Sequence, residues 1–343
     1  MQIIINAGGV GTRLWPLSTA KVPKQFVGLI DEETLLYKTY KRLIKKFDPS
    51  QIWVNTNEKF KSLVIDSLPS SFDESHILTE PSRRDNFAAI CSHGAIVAHR
   101  TSPNEPLIFV HADHFIPEKD WDSWNESLEI LGNSTSKYQL LTAGIKPTFA
   151  STQFGYIQIL GKDKKKIYTT PCDIQKFKEK PDLELAEEFV ATGEYLWNLG
   201  YFSFTYNNLR TNLQKFWPIE AEIVQDFYKK GEISTSLYNR MTKIAFDYAI
   251  AEKMNKIGVV GMDISWEDLG TWDTIIKHLP KLGSKQVEFA GNSNLVKLKD
   301  NRKKVAFVGV SGLLLVESKE GILVIDPKNS GDVKKVAQYF EEN

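Results

Sequence analysis

The sequence predicts an α/β fold: a Rossmann-like, mixed but mostly parallel sheet flanked by helices, then a small β-rich C-terminal domain ending in a helix. Three observations predict it. Through roughly the first 110 residues, short apolar runs alternate with segments of helical periodicity, the pattern of βαβ units in a sheet covered on both faces. Three glycines, Gly8, Gly9 and Gly11, follow the first apolar run directly. Near residue 280 the pattern changes to short strands separated by Gly, Asn and Asp.

In order, residues 3–5 are strand one, and residues 33–46 set Leu35, Leu36, Tyr40, Leu43 and Ile44 at helical spacing. Residues 52–55 read as a strand, 60–68 as a helix and 77–79 as a strand. Residues 86–100, with Ala88, Ala89, Ala95, Ile96 and Val97, predict a helix packed on that strand. The run 107–110 is short, continuous and apolar, as a buried parallel strand must be. Strands then dominate (139–145, 156–160, 174–178), and residues 140–205 are expected to extend the sheet and shape one side of a pocket. Helical patterns return over 209–229, 237–253 and 271–278. Pro280, Gly283 and Ser284 mark a boundary, dividing the chain into 1–283 and 284–343. Beyond it, 295–298, 305–310, 313–316 and 322–325 read as strands and 333–340 as a helix; spacing alone also fits a small antiparallel sheet.

The length suits about two domains, and 42% apolar residues suffice for their cores. Lys plus Arg and Asp plus Glu number 43 each, so the formal net charge is zero. A nucleic-acid or membrane-surface partner calls for a basic excess, so neither is expected. No apolar run approaches the roughly 18 residues of a membrane span. Cys91 and Cys172 match no zinc or redox spacing, and the N-terminus carries no leader-like segment, so a cytoplasmic protein with free thiols is expected.

The glycine loop carries the chemistry. Glycine lets backbone N–H groups approach an anion closely and reaches positive φ cheaply. Arg13 and Lys24 bring two cations to the same loop, which suits a polyphosphate. A Walker loop needs a Gly-Lys-Ser/Thr ending that is missing here, and a dinucleotide fingerprint needs glycine where Leu14 stands.

Gly8-Gly9-x-Gly11-Thr12-Arg13-Leu14-Trp15-Pro16-Leu17-Ser18, followed by Pro23-Lys24-Gln25-Phe26, resembles the signature of the sugar-1-phosphate nucleotidylyltransferases, in the form of their mannose-1-phosphate guanylyltransferase branch. Further matches recur in order along nearly the whole chain. The resemblance implies a nucleotide-diphospho-sugar transferase fold with a parallel β-helix-like tail, and transfer of GMP from GTP to mannose 1-phosphate, assisted by Mg²⁺. It implies that Ala7, Gly8, Gly9, Gly11, Thr12, Arg13 and Lys24 hold the nucleotide, together with Glu80, Pro81, Arg84 and Asn86 of the loop facing the base. That loop departs from the usual pattern at Asp85, Asn86, Phe87 and Ala88.

Two carboxylates are expected at the metal. Asp113, in His111-Ala112-Asp113-His114, follows the run 107–110, where ligands of open α/β sheets bind. His111 and His114 read as hydrogen-bonded loop histidines, since two histidines and one aspartate are too few for zinc. Asp268, in Trp266-Glu267-Asp268-Leu269-Gly270-Thr271-Trp272, matches the family's second aspartate; Glu267 is the weaker choice, and a helix N-cap is the alternative role for Asp268. Phe177-Lys178-Glu179-Lys180-Pro181 resembles the family's sugar-phosphate segment, giving Glu179 the hydroxyls and Lys180 the phosphate. Gly144, Gly155 and Asn198 complete the sugar-phosphate set. Leu199 and Tyr201 replace the pattern's Ser and Met, and Asp247 reads as structural or as supporting a site residue from behind, rather than catalytic. Arg13, Lys24, Asp113, Lys180 and Asp268 are the expected catalytic residues. A homodimer through the tail, and a single activity in a chain of this length, complete the expectation. The alternatives are another sugar or triphosphate, or a non-catalytic paralogue that binds a sugar nucleotide.

Overall fold

A computed structural model describes residues 1–9, 11–159, 166–254, 257–279, 285–300 and 302–342. The expected boundary at 283/284 lies outside the described residues, as does residue 160 at the end of an expected strand.

The strands are β1 (Gln2–Asn6), β2 (Ile52–Asn57), β3 (Ile77–Glu80), β4 (Leu107–His111), β5 (His114–Phe115), β6 (Leu141–Ile145), β7 (Tyr156–Ile159), β8 (Cys172–Lys178), β9 (Tyr195–Phe204), β10 (Gly258–Gly261), β11 (Glu267–Asp268), β12 (Gln286–Phe289), β13 (Leu295–Lys297), β14 (Val305–Val308), β15 (Leu314–Glu317) and β16 (Ile322–Ile325). The helices that matter here are α1 (Leu35–Leu43), α2 (Lys61–Ser67), α3 (Asp85–Arg100), α4 (Trp121–Ser134), α5 (Leu183–Thr192), α6 (Tyr206–Phe216) and α7 (Pro218–Lys230), with short α8 (Thr235–Tyr238), α9 (Phe246–Ala249) and α10 (Trp272–Ile275), and α11 (Val333–Glu342).

Among the described residues, nine strands form one sheet in the order β3-β2-β1-β4-β9-β6-β10-β8-β7. Pairings β1·β2, β1·β4, β2·β3 and β6·β10 are parallel. The rest are antiparallel: β9 runs against β4, β6 and β7, and β8 runs against β10 and β7. The sheet is therefore mixed, and less parallel than the alternation of runs suggests. Successive residues of β1 face opposite layers: Ile3 and Ile5 join the core beneath α1 and α4, and Ile4 joins the one beneath α3, α6 and α7.

Several elements depart from the periodicity. The helix expected over 209–229 is two, because Pro218 forces Trp217 out of helical geometry (φ −145°, ψ 65°). The helix expected over 237–253 is only α8, α9 and a 3₁₀ turn, Ala251–Lys253. There Asn86 Oδ1 accepts the Phe246 N–H at 2.7 Å, a tertiary contact at the start of α9. Helix α4 is an addition to the expected elements, although Trp121, Trp124, Leu128 and Leu131 are buried at helical spacing.

The C-terminal segment contains two parallel pairings, β12·β14 and β13·β15, and one antiparallel pairing, β15·β16. It packs against the segment that follows the glycine loop. Leu314, Val316, Val333 and Ala337 share a core with Leu14, Trp15, Leu29 and Trp272. Ser318 Oγ donates to the Pro16 carbonyl (2.7 Å), and the rings of Trp15 and Phe340 stack at 5.1 Å.

Candidate active site

The loop after β1 is tied down through its carbonyls. Buried Gln25 donates from Nε2 to the carbonyls of Ala7 (2.9 Å) and Gly9 (2.7 Å), and Thr56 Oγ1 donates to Ala7 (3.0 Å). The N–H groups of Gly8 and Gly9 have no backbone acceptor among the described residues, and both glycines line a cavity of about 330 Å³. A loop whose carbonyls are engaged and whose amides are open is suited to an anion. Gly11 has φ +55°, and a Cβ there would meet Lys24 Cγ at 2.7 Å, so glycine is needed for both the turn and the passage of Lys24.

Lys24 is the centre of the site. Its side chain is 10% exposed, and Nζ lies 3.0 Å from Asp113 Oδ2 and 3.0 Å from Asp268 Oδ1. Burial alone would lower the ammonium's pKa; the two carboxylates outweigh it and hold the pKa above the ordinary lysine value. Burial would likewise raise Asp113, but the Lys24 ammonium holds it well below the usual carboxylate range.

Topology explains how two distant aspartates meet. Asp113 leaves the carboxyl end of β4, and β5 pairs antiparallel with β11, setting Asp268 opposite His114. The N-cap alternative for Asp268 does not hold: α10 is preceded by Thr271, and Asp268 points to Lys24. Glu267 turns to His278, with Oε2 3.1 Å from Nε2. His111 and His114 are hydrogen-bonded, through Nε2 to the Gly200 carbonyl (3.2 Å) and through Nδ1 to the Tyr201 hydroxyl (3.0 Å). Among the described residues no three His, Cys, Asp or Glu side chains gather as a metal cluster.

Glu80 forms a wall of the 330 Å³ cavity. It is buried; its Oε2 accepts from the Tyr238 hydroxyl, and burial pushes its pKa up to about 7 against the pull of that hydrogen bond. Asn86 lines the same cavity, at the start of α3. Arg84 instead faces the Met241 carbonyl at 3.5 Å, and Arg83 lines the cavity. Arg13 is exposed; it, Thr12 and Pro81 line neither cavity.

A second cavity, about 230 Å³, gathers Gly155, Glu179, Lys180, Asn198, Asp247 and Asp268. It shares Asn86 and His111 with the first. Asn198 is held on several sides: its Oδ1 accepts from Thr142 Oγ1 (2.9 Å) and the Gly200 N–H (3.1 Å), and its Nδ2 donates to Asp247 Oδ1 (2.8 Å). One amide hydrogen of Asn198 is left over. Lys180 adopts φ +43°, the left-handed region that a lysine rarely enters, and its Nζ is 3.2 Å from Glu179 Oε1. Burial raises Glu179 despite Lys180, and burial, then the charge of Glu179, pushes Asp247 up to about 7. Gly155 is needed for space: a Cβ there would lie 2.3 Å from Glu179 Oε2. Gly144 is a buried strand residue opposite Asn198, packed on Leu196, and lines neither cavity.

Comparison with known proteins identifies the family. The sequence profile of the family described as nucleotidyl transferase matches residues 2–285. The chain belongs to the nucleotidyl transferase family. This transferase is 31% identical to a mannose-1-phosphate guanylyltransferase of Escherichia coli over 352 residues, spanning 99% of this chain and 74% of that one. It is equally similar, at 31% over 352 residues, to the Klebsiella pneumoniae protein of that name. A crystal structure from Thermus thermophilus, described as a mannose-1-phosphate geranyltransferase, superposes with a TM-score of 0.84 at 26% identity, covering 99% of both chains. The family assignment makes the chain an enzyme, and the non-catalytic alternative falls away. No helix among the described residues is long and apolar enough to cross a membrane.

Two side chains at this site were not among the expected site residues. Gln25 lay inside the quoted signature beside Lys24, which was the available signal. Asp247, read as structural or as supporting a site residue from behind, holds Asn198 in that way and is also a wall of the second cavity.

Proposed function

We propose that this transferase joins GTP and mannose 1-phosphate, giving GDP-mannose and pyrophosphate. One observation carries the reading: two cavities, one walled by the glycine loop and Asp113 and one by Glu179, Lys180, Asn198 and Asp268, adjoin at Asn86 and His111, and Lys24 ties the two aspartates together behind them. Two anions can meet there only if their charges are offset and their reacting atoms aligned. The Gly8 and Gly9 amides, with Arg13 and Lys24, hold the triphosphate; Ala7, Gly11 and Thr12 shape the loop; Lys180 holds the sugar phosphate; and Glu179, Asn198 and Gly155 place the sugar, with Gly144 supporting Asn198 from the neighbouring strand. The sugar-phosphate oxygen attacks the α-phosphorus as the bond to the bridging oxygen of pyrophosphate breaks, so no covalent enzyme intermediate is needed.

Asp113 and Asp268 fit Mg²⁺. Asp113 Oδ2 and Asp268 Oδ1, both 3.0 Å from Lys24 Nζ, are the two hard oxygen donors that would hold the ion, with water and substrate phosphates as its remaining ligands. When bound, the ion supplies charge neutralisation on the phosphates.

Glu80 favours guanine. Tyr238 occupies its Oε2, and Oε1 is the acceptor nearest Gly8. Guanine offers N1–H and an exocyclic amine to such an acceptor, whereas adenine presents an unprotonated N1. Pro81, Arg84 and Asn86 complete the loop on that side. Pyrophosphate release from a panel of triphosphates and sugar 1-phosphates tests this. GTP with mannose 1-phosphate is expected to lead, ITP to fall between GTP and ATP, and Glu80→Gln to narrow the GTP-to-ATP ratio about tenfold or more. Preference for another pair by an order of magnitude overturns the substrate assignment.

We divide the chain into a catalytic part, 1–283, and a tail, 284–343, whose parallel pairings support a short parallel β-helix-like stack closed by β16. We assign a homodimer to the tail. Val287, Phe289 and Val308 form an apolar face on β12·β14, 42%, 63% and 69% exposed, while Phe307 points into the core. A second copy would cover it. Phe289→Asp should shift sedimentation from dimer to monomer; a variant as dimeric as the parent rules this face out. The free thiols of Cys91 and Cys172 support placing the activity in the cytoplasm.

A further inference from the structure

Tyr201 stands where the family pattern has methionine, and it lies behind the site rather than in it. The ring is fully buried, on the face of β9 that packs against α4. Its hydroxyl has one hydrogen-bond partner among the described residues, His114 Nδ1 at 3.0 Å. Of the other polar neighbours, Trp124 and Arg42 are donors, and His111, its ring 6.1 Å away, and Asp113 make no hydrogen bond to the hydroxyl. Trp124 meets the Tyr201 ring edge-on at 6.2 Å, and the fully buried Arg42 guanidinium lies 4.0 Å over the Trp124 ring. Neither indole N–H nor guanidinium can accept a proton.

That arrangement decides which nitrogen of His114 carries hydrogen. If Nδ1 held it, the phenol proton would be buried with no acceptor, a costly state. The phenol therefore donates to Nδ1, and the imidazole hydrogen sits on Nε2. His114 lines the second cavity beside Lys180 and Asn198, and Nε2 has no protein partner among the described residues. Trp266 packs edge-on against the ring at 5.1 Å, and β11 fixes its backbone opposite Asp268. A rigid, single-tautomer donor facing an oxygen-rich substrate has a direct use.

We propose that His114 Nε2–H donates a hydrogen bond to an oxygen of the bound sugar 1-phosphate, and that Tyr201 is the positioning residue that fixes this tautomer. The proposal rests on the reading of the second cavity as the sugar-phosphate site. It gives a physical meaning to the departure at 201, since methionine in that place would leave both tautomers open.

The first test needs no substrate. Histidine-ring ¹H–¹⁵N spectra of the whole protein contain six imidazoles, and the His114 signals are identified by their loss in His114→Gln. The expected result is the Nε2–H tautomer in the parent and a tautomeric mixture in Tyr201→Phe; an Nδ1–H tautomer in the parent overturns the proposal. The second test is kinetic, run with whichever sugar 1-phosphate the parent uses best, so that a wrong sugar shows in the parental panel and leaves this test intact. Tyr201→Phe is expected to raise KM for the sugar phosphate about three- to tenfold, with KM for the triphosphate unchanged. In a His114→Gln background the amide donates without a tautomer choice, so adding Tyr201→Phe should change nothing further. Equal effects of Tyr201→Phe in both backgrounds, or no effect on sugar-phosphate KM, overturn the assignment.

Discussion

Lys24→Met is expected to lower kcat/KM about a thousandfold or more, and to destabilise the free protein more than loss of either aspartate does. Methionine keeps the stem that packs on Gly11, so the change isolates the charge. Without the ammonium, Asp113 and Asp268 face each other with no cation between them. Breaking a fully buried pair costs about 3–5 kcal/mol, but these carboxylates keep solvent contact, with side chains 29% and 41% exposed, so about 1–3 kcal/mol is the expected loss. Thermal melts with and without Mg²⁺ check this: the divalent ion should restore part of the lost stability in the variant. Activity within tenfold of the parent would remove Lys24 from the mechanism.

Asp113→Ala is expected to abolish measurable turnover, a loss of at least about a thousandfold, while the fold survives. The two results should differ in stability for a plain reason. Removing Asp113 leaves Lys24 still paired with Asp268, so no buried cation is stranded. Removing Lys24 strands two anions. Asp113→Ala should therefore melt closer to the parent than Lys24→Met does, and a reversed order would contradict the arrangement at Nζ. An Asp113→Ala protein as active as the parent would end the assignment of this carboxylate to the metal.

The local elements of the first half were legible in the sequence because they are set by short-range periodicity. The strands β1 to β4 and the helices α1 to α3 fall close to where the apolar runs place them. Errors gather where a distant contact overrides periodicity. Pro218 splits one helix, and Asn86 caps α9 from another part of the chain. Gln25 illustrates the same limit at the site. Its identity was plain, but its two bonds to Ala7 and Gly9 depend on how the chain turns back beneath the loop.

By itself, the sequence determined the chemistry on offer: a glycine loop with cations, two acids in separate motifs, and a Glu-Lys pair. These are properties of residue type and spacing, and they do not depend on the path of the chain between them. Only the tertiary structure decided which groups meet. The antiparallel pairing of β5 with β11 sets Asp268 beside Asp113, Lys24 is threaded between them past a glycine that has no side chain to block it, and Arg83 rather than Arg84 lines the first cavity. Such contacts are fixed by register and packing, in which a one-residue shift turns a side chain to the opposite face.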